Sequence, residues 1–238
     1  MYAVGGDGTV GDVAGALADT GVALGIIPTG TTNVLAREYG ISLWVRRAVR
    51  QLEASRTTRL LREWKVGDHS AVLGGGVGWD ARVMFNAPPT LKRRMGRTGI
   101  ALVGVREAMR YEFPRLVVRG TDAHAREVTM RGTSVILATV KRWAGGNIAF
   151  PQADPGDDLL DVIVLGPHSL AHLAAFWALV TLPGGKPLSL PGVTAARLRR
   201  AIVESEMGHE VEAHVNGEGV ARTPLAIEPG GIVRVLVP

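Results

Sequence analysis

Two glycine-rich stretches near the start of the chain carry the residue types most suited to chemistry: Gly5-Gly6-Asp7-Gly8-Thr9 and Gly30-Thr31-Thr32-Asn33. Glycines let the backbone approach phosphate oxygens closely. A helix that begins there adds free N–H groups and a positive dipole end. Thr9 contributes a hydroxyl donor, and Asp7 puts a carboxylate where a metal or a reacting hydroxyl would sit. One such turn is equally well a tight strand-to-helix connection with no ligand, whereas two at adjacent strand ends form a double phosphate cradle. Gly6, Gly8 and Gly11 also satisfy G-x-G-x-x-G, but the ribose-binding acid expected ~20 residues on is missing. A Walker A loop is excluded because no Gly-Lys-Ser/Thr follows. Later in the chain, Asp154, Asp157, Asp158 and Asp161 crowd one turn and Glu218 follows Asn216-Gly217. On residue types alone the aspartates read as solvated loop acids. The six histidines have no metal-ligand spacing, and none is assigned to metal or catalysis.

Elements able to position these groups can be read from the hydrophobic pattern. Tyr2-Ala3-Val4 looks like the end of a buried strand, and Val10, Val13, Ala14 and Leu17 give the helix after it. Val22–Ile27 is a short strand stopped by Pro28, and a short helix, Asn33–Tyr39, ends at Gly40. Ser42 is placed to cap a further helix with Val45, Val49 and Leu52 on its apolar face. This alternation predicts a parallel α/β layer over residues 1–55. Beyond Arg56 the chain reads as many short strands separated by Gly, Pro and Asp turns, with helices at Thr98–Tyr111 and Leu170–Leu182. That predicts a β-sandwich over residues 56–225. Ile232–Val237 is apolar enough to be buried on both faces, so residues 226–238 are expected to rejoin the first layer.

Composition narrows the function classes. The chain has 238 residues, 46% of them hydrophobic, and no cysteine, which excludes disorder and any disulfide or cysteine-zinc framework. Met1–Gly11 has neither a basic nor an apolar leader pattern, and the apolar run near Leu170 falls short of the ~20 residues that span a bilayer. A net charge of +5 slightly favours anionic ligands or surfaces.

The motifs together resemble the diacylglycerol kinase catalytic family, which includes bacterial lipid kinases, sphingosine kinases and ceramide kinase. The resemblance begins with Gly5–Thr9 and Pro28–Asn33 and continues through Gly76-Val77-Gly78-Trp79-Asp80-Ala81. It then takes in Ala144-Gly145-Gly146 to Pro151, Asp154, Asp157–Val162, and Asn216-Gly217-Glu218 with Thr223-Pro224. It implies an α/β nucleotide-binding domain of the three-layer, NAD kinase/phosphofructokinase-like kind, incomplete at its N-terminus, followed by a C-terminal β-sandwich with the active site in the cleft between. It further implies an ATP-dependent lipid kinase acting on diacylglycerol or a related lipid. Gly5, Gly6, Asp7, Gly8, Thr9, Asp12, Gly30, Thr31 and Asn33 would line the ATP site. Glu218 would be the general base and Asp7 would orient metal and phosphate. Asp154, Asp157 and the carbonyl of Leu159, supported by Asp161, would hold Mg²⁺.

Several residues depart from the family pattern. Asn216 stands where the family has aspartate, and an amide adds no negative charge for Mg²⁺. Asp12 replaces glutamate, Asp158 a glycine, Thr139 an asparagine and Ala144 the first glycine of the triple turn. The family's first βα segment, with an N-P-x-S-G loop, has no counterpart before Gly5, so a chain shortened at its N-terminus is expected. The expected partner is a lipid at a membrane surface, with the protein cytoplasmic and peripheral at the inner face. A homodimer is left open, and no nucleic acid is implied. Lys92, Arg93, Arg94 and Arg97 read either as a solvated basic helix start or as a contact for anionic headgroups. A catalytically impaired nucleotide- or lipid-binding member and an NAD kinase are the alternative functions.

Overall fold

The computed structural model describes residues 1–143, 147–166 and 168–238, with no side-chain description at 89, 90, 92–95 and 97. The Ala144-Gly145-Gly146 motif and the side chains of Lys92, Arg93, Arg94 and Arg97 therefore lie outside the described residues.

The first layer is β1 (Tyr2–Gly5), α1 (Asp7–Leu17), β2 (Ala23–Pro28), α2 (Val34–Glu38) and α3 (Val45–Ala54). Val10, Ala14 and Leu17 bury one face of α1, as their spacing requires. β1 and β2 pair in parallel with Gly5 opposite Pro28, so both strands end at one edge of the layer and their following turns lie side by side. The cap expected at Ser42 falls early. α3 starts after Trp44, whose amide donates to the Ser42 hydroxyl (3.2 Å). Ala48 and Leu52, four apart, face inward over β2 while Val45 is exposed, and Leu52 packs against Gly25, whose missing side chain leaves room for the Tyr2 ring.

The remainder forms the sandwich: β3 (Thr57–Val66), β4 (His69–Ala71), β5 (Gly74–Val77), α4 (Trp79–Asn86), α5 (Pro89–Ala108), β6 (Leu116–Asp122), β7 (Glu127–Gly132) and β8 (Ser134–Ala138). It continues with β9 (Arg142–Trp143), β10 (Asn147–Ile148), β11 (Leu160–Leu165), α6 (Leu170–Thr181), β12 (Val193–Ser205), β13 (Glu212–Val215), β14 (Glu218–Arg222) and β15 (Leu225–Val237). β15 ties the two parts together. Its start pairs with β12, Arg234 and Val235 pair in parallel with β2, and its length pairs antiparallel with β3. One hydrogen-bonded path therefore runs β1-β2-β15-β12-β11-β8-β5-β13-β14, from the first layer to the hairpin of the sandwich. Trp64, Val66, Leu137, Val162, Leu198 and Ile227 fill the sandwich interior.

Two helices differ from the sequence expectation. α4 occupies the Trp79-Asp80 motif, where no helix was expected, and Gly78 at φ +98° makes the turn into it. α5 begins at Pro89 rather than Thr98, since proline suits the first turn, and it breaks at Gly96 (φ +51°). Buried Glu107 ties α5 to α4, accepting from Arg82 Nε (3.0 Å) and Arg106 Nη2 (2.8 Å). α6 buries Leu173, Phe176 and Val180 against β8 and β11, as its apolar run requires. Among the described residues no helix is long and apolar enough to cross a membrane.

Candidate active site

The two glycine turns touch. A methyl on Gly30 would lie 2.5 Å from Gly6 Cα, and one on Gly6 would lie 3.2 Å from Gly30 Cα, so each turn needs the other to lack a side chain. The Thr29 amide donates to the Gly5 carbonyl (3.0 Å), which locks the second turn to the end of β1. Asn33, in the left-handed region (φ 49°), closes that turn on itself. Its Oδ1 accepts from the Gly30 amide (3.0 Å) and its Nδ2 donates to the Gly30 carbonyl (2.7 Å). Both polar atoms of the Asn33 amide are thus engaged with the turn.

Asp7 crosses from the first turn to the second. Its Oδ1 accepts from the Leu35 amide (3.3 Å) and so caps α2. Burial pushes its carboxyl above the usual range, opposed by the amides of Leu35, Val34 and Asn33 and by Arg37. Thr9, Asp12 and Thr31 are exposed around the same cradle. At the other end of α2, burial also raises Glu38, opposed first by Lys141 and then by Arg142, which places the β9 side of the sandwich against this helix.

The sandwich reaches the cradle through the β13–β14 hairpin. Asn216 (φ 52°) and Gly217 (φ 84°) are both left-handed, the conformation of a two-residue type I′ turn. Glu218 follows at once, paired with Val215, and its Oε1 lies 3.6 Å from where a side chain on Gly8 would begin. α1 accepts this approach along one glycine face. Gly8 meets Glu218, Gly11 meets Asn216 and Val72 (both 3.4 Å), and Gly15 meets Ser70 (2.9 Å). Gly11, which completes a dinucleotide-like pattern in the sequence, is thus a packing glycine against the sandwich.

Asn216 itself is a clamp. Its Oδ1 accepts from the amides of Val72 and Leu73 (3.0 Å each), and its Nδ2 donates to the Ser70 carbonyl (2.7 Å). Two N–H groups on one side and a carbonyl on the other fix the amide orientation, and an aspartate could not supply the donor. Thr139 is likewise structural, donating its hydroxyl to the Val72 carbonyl (2.9 Å).

The acidic turn is arranged differently. β11 and β12 pair with Asp161 opposite Arg197, whose Nε lies 3.2 Å from Asp161 Oδ2 while its Nη2 contacts Asp157 Oδ2. Arg199 pairs with Asp158. Asp157 Oδ1 takes the Leu159 amide (3.0 Å), and Asp154 Oδ1 takes the Gly156 amide (2.9 Å). Burial is the main cause that pushes Asp161 up to about 6, with Asp157 adding to it and Arg197 opposing. Among the described residues no three acidic or imidazole side chains converge on a point that could hold a metal ion. In the expected Mg²⁺ set of Asp154, Asp157 and Leu159, Asp154 Oδ1 is held by the Gly156 amide, and Asp157 has one oxygen on the Leu159 amide and the other on Arg197, so both carboxylates already have partners within the turn.

Sequence reasoning missed His214. It is buried beside the hairpin turn, its Nε2 3.0 Å from Asp80 Oδ2 and its Nδ1 3.3 Å from the Gly217 amide. The available signal was its position two residues before Asn216, which puts it on the same face of β13 as the start of the turn.

Similarity to known proteins covers both parts of the chain. Residues 1–62 match the diacylglycerol kinase catalytic domain, and residues 75–237 match the YegS C-terminal NAD kinase beta sandwich-like domain. A protein named diacylglycerol kinase from Mycobacterium tuberculosis is 27% identical over 211 residues, covering 86% of this chain and 66% of that protein. A "Probable lipid kinase YegS-like" from Pseudomonas savastanoi pv. phaseolicola is 28% identical over 98% of this chain and 74% of its own length. An uncharacterized Synechocystis protein is 30% identical over 69% of this chain, which spans only 37% of that relative. A crystal structure of a diacylglycerol kinase from Bacillus anthracis str. Sterne shares the fold, with a TM-score of 0.71 at 17% identity over all of this chain and 75% of that one.

Proposed function

The chain belongs to the family that joins a diacylglycerol kinase catalytic domain to a YegS C-terminal NAD kinase beta sandwich-like domain, and from that premise we propose that it is an ATP-dependent lipid kinase phosphorylating a hydroxyl of diacylglycerol or a related lipid. One observation carries the reading: the Glu218 carboxylate stands 3.6 Å from the Gly8 side-chain position, at the mouth of a cradle formed by two glycine turns.

The cradle suits a polyphosphate because its walls are backbone. Gly6 and Gly30 bring the turns together, and α1 begins without any side-chain cap, leaving its first N–H groups for an anion. The exposed hydroxyls of Thr9 and Thr31 would add donors, and Asp12 lies on the next turn of α1. Bound ATP supplies the γ-phosphoryl group and, with its Mg²⁺, the neutralisation of charge that phosphoryl transfer needs. Glu218 would take the proton of the attacking hydroxyl, a contribution of about 10²–10⁴ in rate for a well-placed base. Asp7 holds the second turn through α2 and so positions the cradle. Leu102 and Val105 on α5 and Met109 at its C-cap form an exposed apolar stripe, a surface suited to a lipid partner at the cytoplasmic face of a membrane.

The test is incubation with labelled ATP, Mg²⁺ and mixed micelles of diacylglycerol, sphingosine or ceramide, with NAD as a soluble acceptor in parallel. Label is expected in a lipid. Label in NAD alone would make the protein an NAD kinase, and bound ATP with no transfer to any acceptor would sink the kinase reading.

A further inference from the structure

The imidazole of His214 has no nitrogen free for a ligand. A backbone N–H can only donate, so the Gly217 amide facing Nδ1 requires that nitrogen to be unprotonated. The proton is therefore on Nε2, which donates to Asp80 Oδ2 at 3.0 Å. Asp80 is fixed in turn. Its Oδ1 accepts from the Ala81 amide (2.9 Å), and it sits in the first turn of α4, where the helix dipole favours a carboxylate. Both side chains are only 5% exposed. Gly76 leaves the space they use, since a methyl there would lie 2.2 Å from Asp80 Oδ2. The Trp143 ring covers the imidazole, with centroids 6.3 Å apart.

This chain of bonds ends on the turn that carries Glu218. The β13–β14 ladder shifts register between Ala213 and His214. Such a bulge re-aims the side chains beyond it. At the shift the ring nitrogen of His214 takes the Gly217 amide and sets the inner side of the turn, while Asn216 clamps its outer side to Ser70, Val72 and Leu73.

We infer that Asp80 and His214 form a positioning relay that holds the Asn216–Gly217 turn and aims Glu218 at the glycine cradle. The inference rests on reading Glu218 as the base. His214 acts through the turn and touches no reacting atom. Asp80→Asn tests the relay with little change in shape: its Oδ1 stays on the Ala81 amide and its NH₂ then faces His214 Nε2, which drives the ring proton to Nδ1. Two N–H groups would then oppose each other at Gly217.

The experiment compares wild type, Asp80→Asn, His214→Gln and Glu218→Gln by ¹⁵N NMR of the imidazole, amide exchange at Gly217, and kinetics with diacylglycerol micelles. Wild type should show the Nε2–H tautomer and a protected Gly217 amide. Asp80→Asn should switch the tautomer, expose that amide and lower kcat by about 10- to 100-fold, with KM for ATP unchanged. His214→Gln keeps a donor near the Nε2 position for Asp80 but loses the ring acceptor at the Nδ1 position that faces Gly217, and should show the same exchange and the same kcat loss. An unprotected Gly217 amide or an Nδ1–H tautomer in wild type overturns the relay whether or not the chain turns over. An inactive Glu218→Gln beside a folded, fully active Asp80→Asn also overturns the relay and leaves the base standing. Full activity in Glu218→Gln overturns the base, and with it the relay as an aiming device.

Discussion

Two acid-bearing turns face different fates in this molecule. In the Asp154–Asp161 turn, Asp157 and Asp161 share the Arg197 guanidinium and Asp158 pairs with Arg199. The match is built into the β11–β12 register, which sets Asp161 opposite Arg197. At the β13–β14 turn, Glu218 is exposed, and among the described residues it enters no ion pair. Its neighbour is instead the start of α1, where backbone N–H groups favour negative charge. An acid with its counter-charge supplied by the adjacent strand is a strut. An acid left without one beside an anion cradle is available to take a proton.

Glu218→Gln gives the largest expected effect and bears directly on that contrast. The side chain is exposed and unpaired, so thermal stability should change by no more than about 0.5 kcal/mol, while kcat falls by about 10²–10⁴. Differential scanning fluorimetry and the micelle assay read the two quantities separately. A destabilised variant would mean that Glu218 is also a strut, and the contrast between the turns would fail.

Arg197→Gln comes next, at the other turn. Removing the guanidinium leaves Asp157 and Asp161 facing each other without a counter-charge, at a cost of about 2 kcal/mol for a partly exposed pair. Millimolar Mg²⁺ without nucleotide should leave the wild-type melting temperature unchanged and should restore part of the loss in Arg197→Gln, because a cation then has carboxylates to bind. Mg²⁺ stabilisation of wild type would show that the turn holds a cation in spite of Arg197.

The sequence made the cradle legible because its requirements are local. Glycines, a strand end and a helix start lie within a few residues of each other, and the parallel register of β1 and β2 follows from the alternation of elements. The return of the last strand to β2 was legible as well, but its expected burial on both faces was not met: Val233, Val235 and Val237 face the core while Arg234 is exposed, the alternation of a strand covered on one face. What was not legible depends on residues far apart in sequence. Arg197 meets Asp161 only through the β11–β12 pairing, and His214 meets Asp80 across the sandwich. The structural role of Asn216 was hidden in the same way: its amide spans three backbone groups of residues 70–73. Asn216→Asp, although it restores the family residue, should therefore cost about 1–2 kcal/mol, since a carboxylate would face the Ser70 carbonyl with no proton to offer. Chemical denaturation measures it, and an equally stable Asn216→Asp would return Asn216 to the role of a missing ligand.

The smallest effect separates the fold's use of glycine from the site's. Gly30 cannot carry a side chain, because a methyl there would meet the Gly6 backbone at 2.5 Å. Gly8 can, since its methyl would lie 3.6 Å from Glu218 Oε1, an ordinary contact, and the residue is in a regular turn of α1. Alanine is the better helix former, so Gly8→Ala should raise stability by about 0.5–1 kcal/mol. The same methyl would stand where the phosphates must approach the backbone, so ATP affinity should fall by about tenfold, near 1.4 kcal/mol. Denaturation and nucleotide titration on one sample give both signs. If Gly8→Ala binds ATP as wild type does, the phosphates do not pass Gly8. The Glu218 turn would then have lost its reason to be unpaired.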